Sequence, residues 1–224
     1  MLEASGTGAD VPSRRLRYAA QIFLGEALSR DPDSKDDLIR SYDLFRAALD
    51  ITRALARELD TPEARRDVSV SLNNVANAAR ARGDLAGAER LFAESLELRR
   101  ALARELDTPE ARRDVSVSLD NVANAARARG DLAGAERLFA ESLELRRALA
   151  RELDTPETRR DVSVSLIQLS TVLASRADTS GAVKRLEEAR EAAQEFGRMQ
   201  PVSDARDIIE AVDRLLGQLR ASQE

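Results

Sequence analysis

The chain has 224 residues, 43% of them hydrophobic and 33% charged, enough for one domain or a short array of repeats with a core of its own. A net charge of −5 argues against a nucleic acid as the main partner, because grip on phosphates needs a basic surface. The absence of Cys and His excludes disulfides, thiolate nucleophiles, imidazole bases and the usual zinc or haem ligands, so neither a metal nor any other cofactor is expected.

Met1 to Pro12 is Gly-rich and polar, and residues 1–12 read as a disordered segment that is neither a signal peptide nor a membrane anchor. A cytoplasmic location and no membrane partner are the resulting expectations. Gly6-Thr7-Gly8 is too short for a phosphate loop. Basic residues are almost all Arg, with Lys only at Lys35 and Lys184, which hints at GC-rich bacterial coding and carries no functional weight.

From Leu38 to Asp60 the chain has the pattern of a second half-repeat, with Phe45 in the place later taken by Phe92 and Phe139. Ala54 to Arg100 then recurs from Ala101 to Arg147 with one change, Asn73 becoming Asp120, a period of 47 residues. A third copy opens at Ala148, stays close through Leu166 and then diverges. The expected organisation is therefore helical hairpins over 13–60 (divergent), 61–107, 108–154 and 155–202 (divergent), followed by a last helix over 203–224.

Each hairpin has readable ends. Thr61-Pro62-Glu63 is a helix start: a hydroxyl cap, Pro at the first helical position and an acid in the first turn. Val68, Leu72, Val75, Ala76 and Ala79 follow at three- and four-residue steps until Gly83, which can take a left-handed C-terminal conformation. Asp84 caps the second helix, whose apolar face carries Leu85, Ala88, Leu91, Phe92, Leu96, Leu102 and Leu106. No alternating strand pattern is present, so the fold class is all-α. Asp204 to Arg220 is amphipathic, with Ile208, Val212, Leu215, Leu216 and Leu219 on one side, and reads as a C-terminal capping helix or, alternatively, a docking helix for another chain.

The spacing of Leu72, Val75, Ala76, Ala79, Gly83, Ala88, Phe92 and Ser95, repeated at Leu119, Val122, Ala123, Ala126, Gly130, Ala135, Phe139 and Ser142, resembles the tetratricopeptide signature. A looser version runs through Leu166, Leu169, Ser170, Leu173, Ala177, Ala182, Leu186 and Ala189. Departures are Leu for the usual Trp, Ala for the usual Tyr, and a repeat longer than the family's. The added residues extend each helix of the hairpin by roughly 10 Å. Long repeats of this kind look like those of bacterial proteins that join such arrays to signalling or effector domains. The resemblance implies a right-handed superhelical solenoid of antiparallel helix pairs, each hairpin using its neighbour as the other half of a core.

It also implies that the first helix of each unit lines a concave groove. The groove positions carried over are Val70, Asn73, Asn77 and Arg80, then Val117, Asp120, Asn124 and Arg127. Asn can bond both the N–H and the C=O of an extended peptide, and Arg can clamp a carboxylate. Asp120 is expected beside Arg127, where it would neutralise that unit's positive charge. The competing reading is a plain solvated polar face, since the two sets are copies of one duplication. In the third unit Ile167, Thr171 and Ala174 replace the polar ladder with an apolar patch. Arg65-Arg66 and Arg99-Arg100 sit among carboxylates and read as solubilising pairs, and Ser69 and Ser71 have no base in their unit to make either a nucleophile.

The function expected is that of a non-catalytic module that holds a protein or peptide in the groove. The alternatives are a structural or self-assembly element, with a homo-oligomer formed through the C-terminal helix, and the interaction half of a larger bacterial signalling or effector protein.

Overall fold

A computed structural model describes residues 11–31, 33–199 and 203–221. Among them are nine α-helices and no strand: α1 (Val11–Leu28), α2 (Lys35–Leu59), α3 (Pro62–Ala81), α4 (Leu85–Leu106), α5 (Pro109–Ala128), α6 (Leu132–Leu153), α7 (Pro156–Ser175), α8 (Thr179–Met199) and α9 (Ser203–Ala221). Residues 1–10 of the expected N-terminal segment, Gly6-Thr7-Gly8 included, lie outside the described residues, as do 200–202 and 222–224; α1 itself begins at Val11.

The helix ends follow from the junction residues. The hydroxyls of Thr61 and Thr108 accept the backbone N–H of Ala64 and Ala111 at 3.2 Å, with Pro62 and Pro109 next in line where no N–H is needed. At the far end Gly83 and Gly130 sit at φ +85°, a conformation that costs glycine nothing, and the following Asp84 and Asp131 cap α4 and α6 through the N–H of Gly87 and Gly134 at 2.8 Å. A Cβ on Gly87 would fall 2.1 Å from Asp84 Oδ2, so the small residue is required by its own cap.

The helices form two compact units, residues 1–107 and 108–224. In the first, α2 packs on α1 and α3, and α3 on α4. Phe45, Leu49, Val68, Leu72, Val75 and Ala78 fill its core, with Ile22 and Tyr42 packed against them. In the second, α5, α6, α7, α8 and α9 follow one another, and α9 also touches α7. Its core joins Phe139, Leu143, Leu166, Leu169, Val172, Leu186, Val212 and Leu216, with Ile167, Ala174, Ile208, Leu215 and Leu219 packed alongside. The apolar stripe that fitted α9 for either capping or docking is thus spent inside its own unit, together with the Ile167 and Ala174 patch of α7.

Two kinds of polar contact tie each hairpin. Buried Ser95 and Ser142 donate to the backbone carbonyls of Ser69 and Ser116 at 3.0 Å, which satisfies hydroxyls that would otherwise be costly in the core. At the open end, where the helices run long, Arg65 meets Glu105 at 2.8 Å, Arg112 meets Glu152 at 2.8 Å, and Arg159 meets Glu195. These pairs are exposed to solvent, which screens them, and they add little to stability.

Candidate functional site

The outward side of α3 runs through Glu63, Asp67, Val70, Asn74, Asn77 and Ala81, residues spaced so that each lies one helical turn beyond the last. On α5 the corresponding stripe is Glu110, Asp114, Val117, Asn121, Asn124 and Ala128. Of the positions expected from the resemblance, Asn77, Arg80, Val117 and Arg127 are exposed, and Val70, Asn73 and Asn124 are half-buried. Arg80 donates to Asn77 Oδ1, and Arg127 to Asn124 Oδ1, each at 3.1 Å. Asn124 also donates to the carbonyl of Asp120 at 2.9 Å. In each unit the Asn–Arg pair lies on an accessible part of its own helix, with the guanidinium held by the neighbouring Asn.

Asp120 does not belong with them. It is 7% exposed, and its Oδ2 accepts Arg146 Nη2 at 2.6 Å rather than meeting Arg127. Arg146 reaches further, to Ser116 Oγ at 3.2 Å and Ser165 Oγ at 2.5 Å, so one buried guanidinium joins α5, α6 and α7. Burial pushes the Asp120 carboxyl above its usual range, against the pull of the Arg146 charge. Asn73, its counterpart, also turns toward the packing: its Oδ1 is buried and has no hydrogen-bond partner. One step along the helix separates these inward positions from Asn74 and Asn121, which lie in the outward stripe. Helical phase alone does not separate Asn73 from Asn74, since residues three and four beyond Val70 lie about equally close to its side.

Beside the first Asn–Arg pair lies a recess of about 320 Å³, lined by Leu38, Phe45 and Ala78 below and by Glu26, Asn74 and Asn77 around it. Phe45 reaches this place because α1 passes over it at Gly25, where a Cβ would come within 2.7 Å of the ring. Other arginines are paired with carboxylates, among them Arg53 with Glu94, Arg100 with Glu97 and Arg147 with Glu188.

Residues 68–103 and 115–150 each match the tetratricopeptide repeat family. These two stretches are tetratricopeptide repeats. No curated protein sequence matches the chain. Among solved structures it is similar to the apo form of RapI, at 13% identity and a TM-score of 0.60 over 91% of this chain and 69% of that one. It is also similar to BtubC (BKLC) from P. vanneervenii, at 16% identity and a TM-score of 0.50 over 94% and 92% of the two chains. At these identities the likeness is one of fold.

In these tetratricopeptide repeats Ser69 and Ser71 are fully buried; Ser69 donates to the carbonyl of Arg66 and accepts from Arg99, and Ser71 lies 3.2 Å from Thr52 Oγ1. They are packing residues. Among the described residues there is no cluster of three or more potential metal-binding side chains, and no helix is long and apolar enough to cross a membrane. Tetratricopeptide repeats of this kind support a protein-interaction or helical scaffold role.

Proposed function

We propose that the chain is a non-catalytic module that holds an extended, acidic segment of a partner protein against the outward side of its first repeat helices. The observation that carries the reading is the recess beside Asn77. An apolar floor of Leu38, Phe45 and Ala78 suits a side chain of the partner, Asn74 and Asn77 can satisfy its backbone, and Arg80 stands ready for a carboxylate one or two residues away. Val117, Asn121, Asn124 and Arg127 offer the same chemistry on α5. Because Asp120 faces inward, neither arginine is neutralised by it, and Arg80 and Arg127 are matched in charge.

The test begins with peptide display on the immobilised chain. Selected peptides are expected to place an apolar residue close to Asp or Glu. Arg80→Ala should weaken such a peptide by roughly 10- to 100-fold, in line with about 1.5–3 kcal/mol for a hydrogen bond to a charged group. Melting should not move, since water replaces the lost contact on an exposed face. Selected peptides that bind the Arg80→Ala, Asn77→Ala and Arg127→Ala variants as tightly as the parent would reject this face as the binding surface.

A further inference from the structure

The helix α1 is apolar on two opposite sides. One side, with Tyr18, Ile22 and Gly25, is turned to the rest of its unit. The other carries Leu16 and Phe23, each 73% exposed, Leu24 at 49%, and the exposed Ala20 and Ala27 between and beyond them. On a helical projection these five residues share the half of the cylinder opposite Ile22 and Gly25. A helix apolar all round is ordinarily a buried one, and two large side chains at 73% exposure in register on one face are more than the scattered apolar surface of a monomer.

The charges bordering this face specify the occupant. Arg15 and Glu26 lie on the same flank, about three turns apart, while Arg17 lies on the opposite flank. When two copies of α1 pair antiparallel about a two-fold axis near Ala20, equal flanks face each other, so Arg15 of each copy stands opposite Glu26 of the other. Leu16 then falls between Phe23 and Ala27 of the second helix, and Ala20 meets its own copy at the axis, where its small size lets the helices close. A parallel pairing would instead bring Arg15 against Arg17. We infer that the outward face of α1 is a self-association surface, and that two copies of this chain dimerise through antiparallel α1 helices. The C-terminal helix has no comparable face to offer, since its apolar stripe is buried in its own unit.

A contact limited to one side of an 18-residue helix falls at the small end of specific interfaces, below about 1,200 Å², so the dimer should be weak and concentration-dependent. Sedimentation velocity of the full chain from one to several hundred micromolar is the direct measurement, and a monomer–dimer equilibrium is the expected result. Phe23→Glu should hold the chain monomeric with unchanged helix content, with Leu16→Gln as a second, milder variant. The register is read by charge reversal. Arg15→Glu alone and Glu26→Arg alone should each weaken self-association by about tenfold, because like charges then meet. An equimolar mixture of those two variants should associate at least as well as the parent, since both cross-pairs become attractive. Arg15 also attracts Asp67 of its own chain, so melting curves accompany each variant. A chain that stays monomeric at every concentration, as it would if another part of the chain covered this face, overturns the proposal. So does association that survives Phe23→Glu, or a mixture that gains nothing over its components.

Discussion

The 47-residue copies Ala54–Arg100 and Ala101–Arg147 differ only at Asn73 and Asp120, and these two residues lie one in each compact unit. Asn73 leaves a buried Oδ1 without a hydrogen-bond partner, whereas Asp120 engages Arg146 at 2.6 Å within a network that takes in Ser116 and Ser165. The difference is one side-chain atom, an amide nitrogen against an oxygen. It shows that this inward position is tolerant of a neutral amide, and that a carboxylate here is held by the Arg146 charge through Oδ2 while its Oδ1, like that of Asn73, is buried without a hydrogen-bond partner. A buried ion pair of this sort is weak evidence for added stability, because desolvation offsets most of the attraction. Its effect is to give the buried Arg146 a carboxylate partner, where the equally buried Arg99 of the first unit donates to Ser69 Oγ at 3.0 Å.

The largest expected effect ignores that difference. Phe92 and Phe139 are each 1% exposed at the same place in the repeat, so truncation to Ala should cost about 3–5 kcal/mol at either site, blunted where the hairpin can unravel locally. Urea unfolding of the two variants should give losses that agree within about 1 kcal/mol. A gap of several would show that copies of one sequence are packed differently.

Next comes the pair itself. Asp120→Ala strands the buried Arg146 and should cost about 3 kcal/mol, while Asn73→Ala removes an amide whose oxygen is already unsatisfied and should cost about 1 or less. Asp120→Asn, which imitates the first repeat, should fall between them. The pH dependence separates the roles further. Since burial holds the Asp120 carboxyl above its usual value, the native state keeps a proton that the unfolded chain releases near pH 4. Stability from this group is therefore present below that pH and is lost as pH rises through the native value. Subtracting the pH profile of Asp120→Asn from that of the parent should reveal a falling contribution across that window. A rising difference would mean that the pull of Arg146 outweighs burial.

The fold was readable from the chain because it is written in local rules repeated: a Thr-Pro-Glu start, a Gly turn and an Asp cap recur in the α3–α4 and α5–α6 hairpins, and each is met by the hydrogen bond it implies. The candidate site was readable only in part. Helical phase puts the whole ladder 70, 73, 77, 80 on one side of the helix, yet Asn73 buries its Oδ1 and Asp120 is taken into the packing by Arg146 of the next helix. Nothing along the sequence of α5 says that its aspartate will find Arg146, 26 residues on, since that meeting depends on the next helix returning beside it. The recess over Phe45 is equally non-local, for it needs α1 to cross at Gly25.

The smallest effect concerns the third turn, where the repeat has drifted. Gly83 and Gly130 occupy φ +85°, and the equivalent position of α7 is Ala177 at φ +61°, in the left-handed region where a Cβ meets the neighbouring carbonyl. The backbone pattern survives regardless: the N–H of Ala177 bonds to Ala174 O at 3.0 Å and that of Asp178 to Leu173 O at 2.9 Å, just as Gly130 and Asp131 bond to Arg127 and Ala126. The turn is thus dictated by the hairpin, and Ala177 bears a strain that its counterparts avoid. Relief of about 1–2 kcal/mol, less the entropy glycine adds to the unfolded chain, leaves a net gain of about 0.5–1 kcal/mol for Ala177→Gly. Gly130→Ala has open space around the new Cβ and should lose a similar amount through conformation alone. Thermal melts should move by a few degrees in opposite directions. Equal shifts of the same sign would mean that the two turns are not conformational equivalents.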